Sequence, residues 1–462
     1  MSSETAQEIR NMLLKVLDNY ECTGKLIGFC GDNCPTNFGR PITRSGNNNV
    51  FRLLQKEYED STKLMGLGCL AHILHNSIDH GCTVALPHDM EAVIVKFFKH
   101  FYIYTRRTES LKNLCESNEV LFEKLKSYGA TRFVAMKESL QTIIKLFDVL
   151  IIYFEENPRE TPIILKKFLS DPLARFLLQF LRDSCENFED AILKVEGDKV
   201  CGVEALQTVL NLKNLLQSQL DTNFLSISAI EALQNAMERT SITEETVQST
   251  IVRPFYERSI QYLTDWLEPM MEIEHLTWVL LTKPPQWNEV NNSCQILVQS
   301  GHFPKEHHQK LFIVFESLKA FVSDEKMRMW NDEKANVDDR WVQIFSNLEG
   351  KQDYMALSII VEYALCLPGT NAPTERIFSL MNAMWTDSKS RLKVETLKAQ
   401  LSVKTNLNMS CIEFHRYIKT MPKVLNEISA EGKYKGSTST QRSSINLCDT
   451  DTRILSDDDG DD

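Results

Sequence analysis

Apolar residues recur at three- and four-residue intervals along most of this chain, which is the spacing of one face of an α-helix. The pattern predicts helices over residues 5–19, 89–104, 108–127, 132–155, 163–183, 203–220, 226–239, 243–268 and 305–323. Two short apolar runs, at 25–30 and 64–69, instead predict β-strands. A helix over 70–81, closed by Gly81, follows the second run. Residues 1–85 are therefore expected to form an α/β part of an otherwise helical chain.

The composition agrees with a mainly helical fold. The chain has 462 residues with 17 Gly and 14 Pro, and both of these turn-forming residues are scarce for that length. Such a length is too great for one compact core and indicates about two or three domains. Polar stretches at 282–304 and 331–339 predict loops, and the Ser-, Thr- and Asp-rich chain from about residue 430 predicts a disordered tail.

The charge is unevenly distributed. The formal net charge is −12, which at first argues against nucleic-acid binding. Residues 449–462 contain seven Asp and one Arg, so half of the net charge lies at the C-terminus. This location weakens the objection without creating a basic patch. The chain has no long apolar run and no signal-peptide pattern, so we expect an intracellular protein without a membrane span.

Two polar constellations follow the predicted strands. Gly31-Asp32-Asn33 comes directly after the first run, where the carboxylate would lie at a strand end and could hold Mg²⁺. The alternative for Asp32 is an Asx-turn that satisfies loop amides. Cys69 and His72 stand one helical turn apart after the second run, a spacing that permits a shared metal. No second ligand pair follows, which favours a core cysteine and a hydrogen-bonded histidine.

A third constellation lies about 300 residues later, in the segment Asn371-Ala372-Pro373-Thr374-Glu375. Asn371 is suited to precede a helix, and Pro373 is suited to its first turn. Glu375 then falls near the positive end of the helix dipole, which stabilises an ionised carboxylate. Simple capping electrostatics is the alternative explanation for all of these residues.

Together, the three constellations resemble the hAT-type transposases and the host proteins derived from them. The order GDNxxTNFG, GCLAHILHN and NAPTERIFSLMNxxW carries the resemblance, which extends over most of the chain. Residues 374–404 are similar to that family's dimerisation region. The resemblance implies a mainly α protein with an α/β part, an incomplete ribonuclease-H-like domain. Its first part would occupy 1–150, an all-helical insertion 151–350, its end and the dimerisation region 351–430, and a disordered acidic tail 431–462.

The resemblance also bears on catalysis. In that family three acidic residues hold two divalent metals for DNA strand cleavage and transfer. Asp32 matches the second acidic position and Glu375 the third. The first is expected on a strand that would precede the helix at 5–19, and this sequence has no counterpart. We therefore expect an incomplete sheet, no transposase activity and no cofactor, with Mg²⁺ required only if catalysis is retained.

Contacts to DNA are implied at three further positions. His72 of the Cys-x-x-His motif, and Arg132-Phe133 where the family has Arg-Trp, match residues near the DNA being opened. Phe133 can stack on a base, with less surface than Trp and no N–H donor. A fold-stabilising role explains His72 and Arg132 equally well.

Dimerisation has support from the apolar pattern as well as from the resemblance. Two apolar stripes at helical spacing begin in the third constellation, and the residues expected at an interface are Phe378, Met381, Trp385, Leu397 and Leu401. Ordinary core packing is the alternative for both stripes.

The expected function follows from these predictions. It is that of a transposase-derived, non-catalytic nuclear protein, a homodimer that binds DNA weakly and contacts chromatin or transcription proteins. Two alternatives stay open. One is an active or truncated transposase with metal-dependent strand transfer, and the other is a protein-interaction scaffold without DNA binding.

Overall fold

The structure is a computed structural model, and it describes residues 5–39, 46–58, 62–126, 133–350, 353–386, 392–407 and 409–428. The chain divides into two compact units, Met1–Arg376 and Ile377–Asp462. Helices make up 74% and strands 3% of the described residues, which confirms the predicted mainly α fold. Within the described ranges, every helix is too short or too polar to cross a membrane.

The first unit begins with the predicted α/β part. In chain order it consists of α1 (Ala6–Asn19), β1 (Gly28–Gly31), α2 (Pro35–Phe38), α3 (Val50–Tyr58), β2 (Met65–Gly68) and α4 (Leu70–Ala85). The strands pair in parallel, with Gly28 opposite Met65 and Gly31 opposite Gly68. A parallel pair needs a crossover, which α2 and α3 supply. The ends of both strands and the start of α4 therefore lie at one edge of the sheet.

The rest of the first unit is helical. Its α-helices are α5 (Met90–Tyr102), α6 (Thr105–Ser117), α7 (Phe133–Glu156), α8 (Ile163–Leu169), α9 (Ala174–Val195), α10 (Gly202–Asp221), α11 (Ile227–Arg239), α12 (Glu244–Val247), α13 (Arg253–Leu267), α14 (Trp287–Gln299), α15 (His308–Phe321), α16 (Asp324–Asp332), α17 (Val337–Leu348) and α18 (Met355–Cys366). A π-helical turn, Gln248–Val252, precedes α13, and 3₁₀ segments span Glu268–Leu280 and Lys305–His307.

Several boundary predictions were wrong, among them the end of the helix predicted over 163–183, which continues to Val195, and three of them have a local reason. The helix predicted over 108–127 ends at Ser117, because Glu119 has a φ of +57°, which an α-helix does not accommodate. The helix predicted over 243–268 contains the π-helical turn directly before Pro254, a residue that cannot donate a helical hydrogen bond. The loop predicted over 282–304 contains α14, whose first turn is closed by a capping box at Gln286.

Gly81 does not end α4, which continues to Ala85. A Cβ atom at position 81 would meet the hydroxyl of Ser259 and would lie 3.0 Å from the ring of Phe255. Both of these residues belong to α13. The glycine is therefore required by the close approach of two helices and not by a change of direction of the chain.

A large apolar core joins most helices of the first unit to β2. Reciprocal hydrogen bonds reinforce it where α4 meets α13, since Ser77 Oγ donates to the Ser259 carbonyl over 3.0 Å and Ser259 Oγ donates to the Ser77 carbonyl over 3.2 Å. A smaller core lies between α1, α2 and α3, and its buried residues are Ala6, Phe38, Val50, Phe51, Leu54 and Leu64. Both cores hold the sheet edge at which the site residues collect.

The helices of the C-terminal part are α19 (Ala372–Met384), α20 (Val394–Asn406), α21 (Cys411–Lys419) and α22 (Pro422–Ile428). The unit Ile377–Asp462 exposes many of its apolar side chains, and Leu397 is 3% exposed there. The tail at 431–462 lies outside the described residues. The domain boundaries at 150, 350 and 430 stay predictions.

Candidate functional site

Asp32 lies immediately after β1, as predicted, and its carboxylate is engaged by its own loop. Its Oδ1 accepts a hydrogen bond of 2.6 Å from Asn37 Nδ2 and one of 3.4 Å from the backbone N–H of Cys34. The second contact is the Asx-turn that the sequence left open as the alternative. Next to it, both polar side-chain atoms of Asn33 are buried and make no hydrogen bond within the described residues.

Cys69 and His72 lie at the start of α4. Cys69 is the N-cap residue, and its side chain is fully buried. Its backbone N–H donates to the Gly31 carbonyl at the end of β1 over 2.7 Å, and its sulfur accepts a hydrogen bond of 3.3 Å from the backbone N–H of Asn371. The next residue, Leu70, donates its N–H to the Gly369 carbonyl over 3.2 Å. The start of α4 thus joins the first and third constellations.

The third constellation has the predicted local structure. Helix α19 begins at Ala372, so that Asn371 precedes it and Pro373 and Glu375 lie in its first turn. Glu375 Oε1 lies 3.7 Å from His72 Nε2. Three segments that are separate in the sequence therefore meet around the His72 ring.

The electrostatics of the site are dominated by His72. The pKa of His72 is raised to about 9, chiefly by its interaction with Cys69 and further by the negative charges of Glu375 and Asp32, while burial opposes the shift. The same pairing lowers the pKa of the Cys69 thiol, although burial opposes this. His72 Nδ1 is buried and has no hydrogen-bond partner within the described part of the chain. The raised pKa favours the protonated ring, whose charge would face the Glu375 carboxylate 3.7 Å away.

This arrangement does not fit a divalent metal. Among the described residues, no group of three His, Cys, Asp or Glu side chains is placed to hold a metal ion.

Two residues that the sequence did not single out extend the network. Glu196, just after α9, lies with its Oε1 3.8 Å from Nε2 of His75, one turn after His72. Arg376, next to Glu375, donates from Nη1 to the Glu196 carbonyl over 2.9 Å and pairs with Asp198. The network attaches the loop between α9 and α10 to the third constellation. Of the residues in this network, Arg376 alone lies in a motif that the sequence revealed, the TERIFS segment.

The predicted DNA-contact residues Arg132 and Phe133 lie where a described part of the chain begins. Arg132 is outside the described residues, and Phe133 begins α7 with its side chain outside them. Of the predicted contacts, His72 is the one with described geometry, and its side chain is 41% exposed. It is therefore accessible from solvent while remaining attached to Cys69 and Glu375.

The residues expected at a dimer interface differ in exposure. Phe378 and Trp385 are 53% and 46% exposed, Met381 and Leu401 are half-buried, and Leu397 is buried. Val394 and Val403 of α20 add exposed apolar surface at 49% and 57%. These helices thus present several large apolar side chains to solvent, which is typical of an interaction surface.

Comparison with known protein families identifies this part of the chain. Residues 319–407 match the hAT family C-terminal dimerisation region. The chain carries a hAT-family dimerisation region. The resemblance to hAT-type transposases is thereby confirmed, and the region begins well before residue 374, where sequence reasoning placed it. No curated protein matches the chain significantly.

The extent of the match changes which helices belong to the hAT region. It starts within α15 and includes α16, α17 and α18 as well as α19 and α20. Buried tryptophans of this stretch, Trp330 and Trp341, pack in the core of the first unit. The hAT region therefore contributes core residues to the first unit and exposed apolar helices to the second.

Proposed function

We propose that this hAT-type protein is a transposase-derived, non-catalytic nuclear homodimer that binds DNA weakly and contacts chromatin or transcription proteins. The match of residues 319–407 to the hAT dimerisation region carries the proposal. The proposed ancestry includes a ribonuclease-H-like domain, and the parallel pair of β1 and β2 with its crossover helices supports it. The all-helical segment at 151–350 would be the insertion in that domain.

The proposed lack of catalysis rests on the site geometry. Asp32 accepts hydrogen bonds from Asn37 and from the backbone of its own loop, and the Glu375 carboxylate lies 3.7 Å from His72 Nε2. Both carboxylates therefore have partners other than a metal. An assay for strand cleavage of supercoiled DNA with Mg²⁺ or Mn²⁺ tests this, with an Asp32→Asn, Glu375→Gln variant as control. Cleavage by the chain that the variant lacks would contradict the proposal and favour an active transposase.

Dimerisation is tested directly by sedimentation of the full chain over a concentration series. Phe378→Ala should raise the dimer dissociation constant by at least about tenfold, because truncation of a central interface aromatic costs about 2 kcal/mol or more. Phe224→Ala is the matched control, since Phe224 is 47% exposed and lies outside the hAT region. A monomeric wild type, or equal dimer stability of both variants, would refute the assignment of the interface to α19.

A further inference from the structure

The turn between α5 and α6 carries an exposed aromatic surface. Tyr102, Ile103 and Tyr104 are consecutive and are 62%, 71% and 51% exposed. Beside them lies a cavity of about 170 Å³ with Phe98, Tyr102 and Phe122 among its walls. We call this surface, defined by Phe98, Tyr102, Ile103, Tyr104 and Phe122, the aromatic corner. Its residues belong to none of the motifs that carry the hAT resemblance.

The rings of the aromatic corner are held in place from one side. Phe98 and Tyr102 lie with centroids 4.6 Å apart and planes at 35°. The Arg107 guanidinium lies 4.1 Å from the Tyr104 ring centroid, and Arg107 Nε donates to Glu160 Oε2 over 3.0 Å. Each tyrosine therefore has a supported face and remains half or more exposed. A rigid, half-exposed ring is suited to stacking because little side-chain entropy is lost on binding.

Exposed cations are interleaved with the aromatic residues of the corner. Three carboxylates of this part of the chain are engaged in ion pairs: Glu123 with Lys145, Glu138 with Lys126 and Glu160 with Arg107. Exposed cations without an ion pair in the described part of the chain include Lys99, Arg106 and Lys124, each within two residues of an aromatic residue of the corner. The exposed carboxylates of Glu109, Glu116 and Glu119, likewise without an ion pair there, oppose them. Lys99, Arg106 and Lys124 are therefore available for phosphates beside the rings.

We infer that the aromatic corner binds single-stranded nucleic acid, with bases stacked on Tyr102 and Tyr104 and phosphates paired with Lys99, Arg106 and Lys124. The inference rests on the proposed DNA binding and names its surface. Exposed aromatic rings interleaved with cations bind single strands without strong sequence preference. The bases of a duplex are stacked inside the helix, so their faces are not available to these rings. The cavity is large enough for one ring of a base and too small for a stacked pair.

The stacking contribution is tested by fluorescence anisotropy of the full chain with fluorescein-labelled oligo-dT at low salt. Tyr102→Ala should weaken binding by at least about fivefold, which is the lower end of the effect of losing one stacked base. Tyr102→Phe should bind like the wild type because the ring is retained. Tyr20→Ala is the matched control, since Tyr20 is 73% exposed on α1, away from the corner.

The phosphate contacts are tested by a salt titration. Lys99→Gln and Lys124→Gln should each lower the steepness of log K against log salt by about 0.7, the contribution of one phosphate contact to a single strand. Glu109→Gln should strengthen binding because it removes a repelling carboxylate. Lys319→Gln, at an exposed position of α15, should leave the titration unchanged.

The outcomes separate this inference from the proposed function. If the wild type binds DNA and Tyr102→Ala binds equally well, the aromatic corner is not the site, while the proposed DNA binding stands. Equal affinity for oligo-dT and for the corresponding duplex would overturn the single-strand assignment. No binding by the wild type at low salt would overturn both. Loss of the dimer in Tyr102→Ala would show that the corner is a protein interface and would also overturn the inference.

Discussion

His100 gives the sharpest prediction of the fold's response to pH. The residue lies in α5 and is 4% exposed. Its Nδ1 lies 3.5 Å from Arg107 Nη1 and its Nε2 lies 3.3 Å from the Tyr153 hydroxyl. Since a guanidinium only donates, Nδ1 must accept, and the proton of the neutral ring is assigned to Nε2. A second proton would be placed directly against Arg107.

Burial lowers the pKa of His100 to about 4, and the charges of Arg107 and Lys96 add to this effect. In the unfolded chain the imidazole titrates near 6.5. Below that value the unfolded state binds a proton that the folded state excludes, so stability falls as the pH falls towards 4. The loss from this single group amounts to about 2 kcal/mol at pH 5 and about 3 kcal/mol at pH 4. Above pH 7 the group contributes no pH dependence.

Urea unfolding at pH 8 and pH 5 measures the effect in the wild type and in His100→Gln. The difference in unfolding free energy between the two pH values should be smaller in the variant by about 2 kcal/mol, because glutamine does not titrate. His415→Gln is the matched control, because His415 is exposed in the folded protein and its side chain therefore stays hydrated on folding. An identical pH dependence in wild type and His100→Gln would refute the assignment of a neutral, buried imidazole.

Two further predictions concern α4. Gly81→Ala should lower the unfolding free energy by about 1–3 kcal/mol despite the higher helix propensity of alanine, because the new methyl group overlaps Ser259 and Phe255. Ser259→Ala in the same background should recover part of this loss in urea unfolding, and additive losses would contradict the overlap. His72 should titrate near pH 9 by NMR. Cys69→Ala should lower the pKa of His72 towards 6.5. An unchanged pKa in this variant would show that the Cys69 thiol does not cause the shift.

Much of the secondary structure was predictable because it depends on local spacing. The strands at β1 and β2 and the helices α1, α7 and α10 lie within a few residues of their predicted positions. The failures have local causes in some places and a tertiary cause at Gly81. The spacing of Val290, Cys294 and Leu297 in α14 was present in the sequence, but two prolines and several asparagines nearby obscured it. Gly81 was misread because the helix that crosses it is 178 residues away in the chain at Ser259.

In the candidate site, too, some features follow from the local sequence and others depend on the tertiary fold. Asp32 at a strand end and Glu375 in the first turn of a helix follow from their neighbours in the chain, and both predicted positions are confirmed. The ion pairs of Arg376 with Asp198 and of His75 with Glu196 were not predictable, because the loop after α9 has no motif of its own. The hAT match also includes α16, α17 and α18, for which the sequence offered no recognisable motif.

Local order and the similarity to the hAT dimerisation region were thus in the sequence of this protein, since periodicity and motifs act over a few residues. Folding decided the chemistry of the site. It buried the Cys69 thiol near His72 and placed the Glu375 carboxylate 3.7 Å from the Nε2 atom of that histidine, so that the pKa of His72 is raised. It also exposed Tyr102 and Tyr104 in a segment whose Lys99 forms no ion pair within the described residues. Burial and charge are properties of neighbours in space, and only the tertiary structure brings those neighbours together.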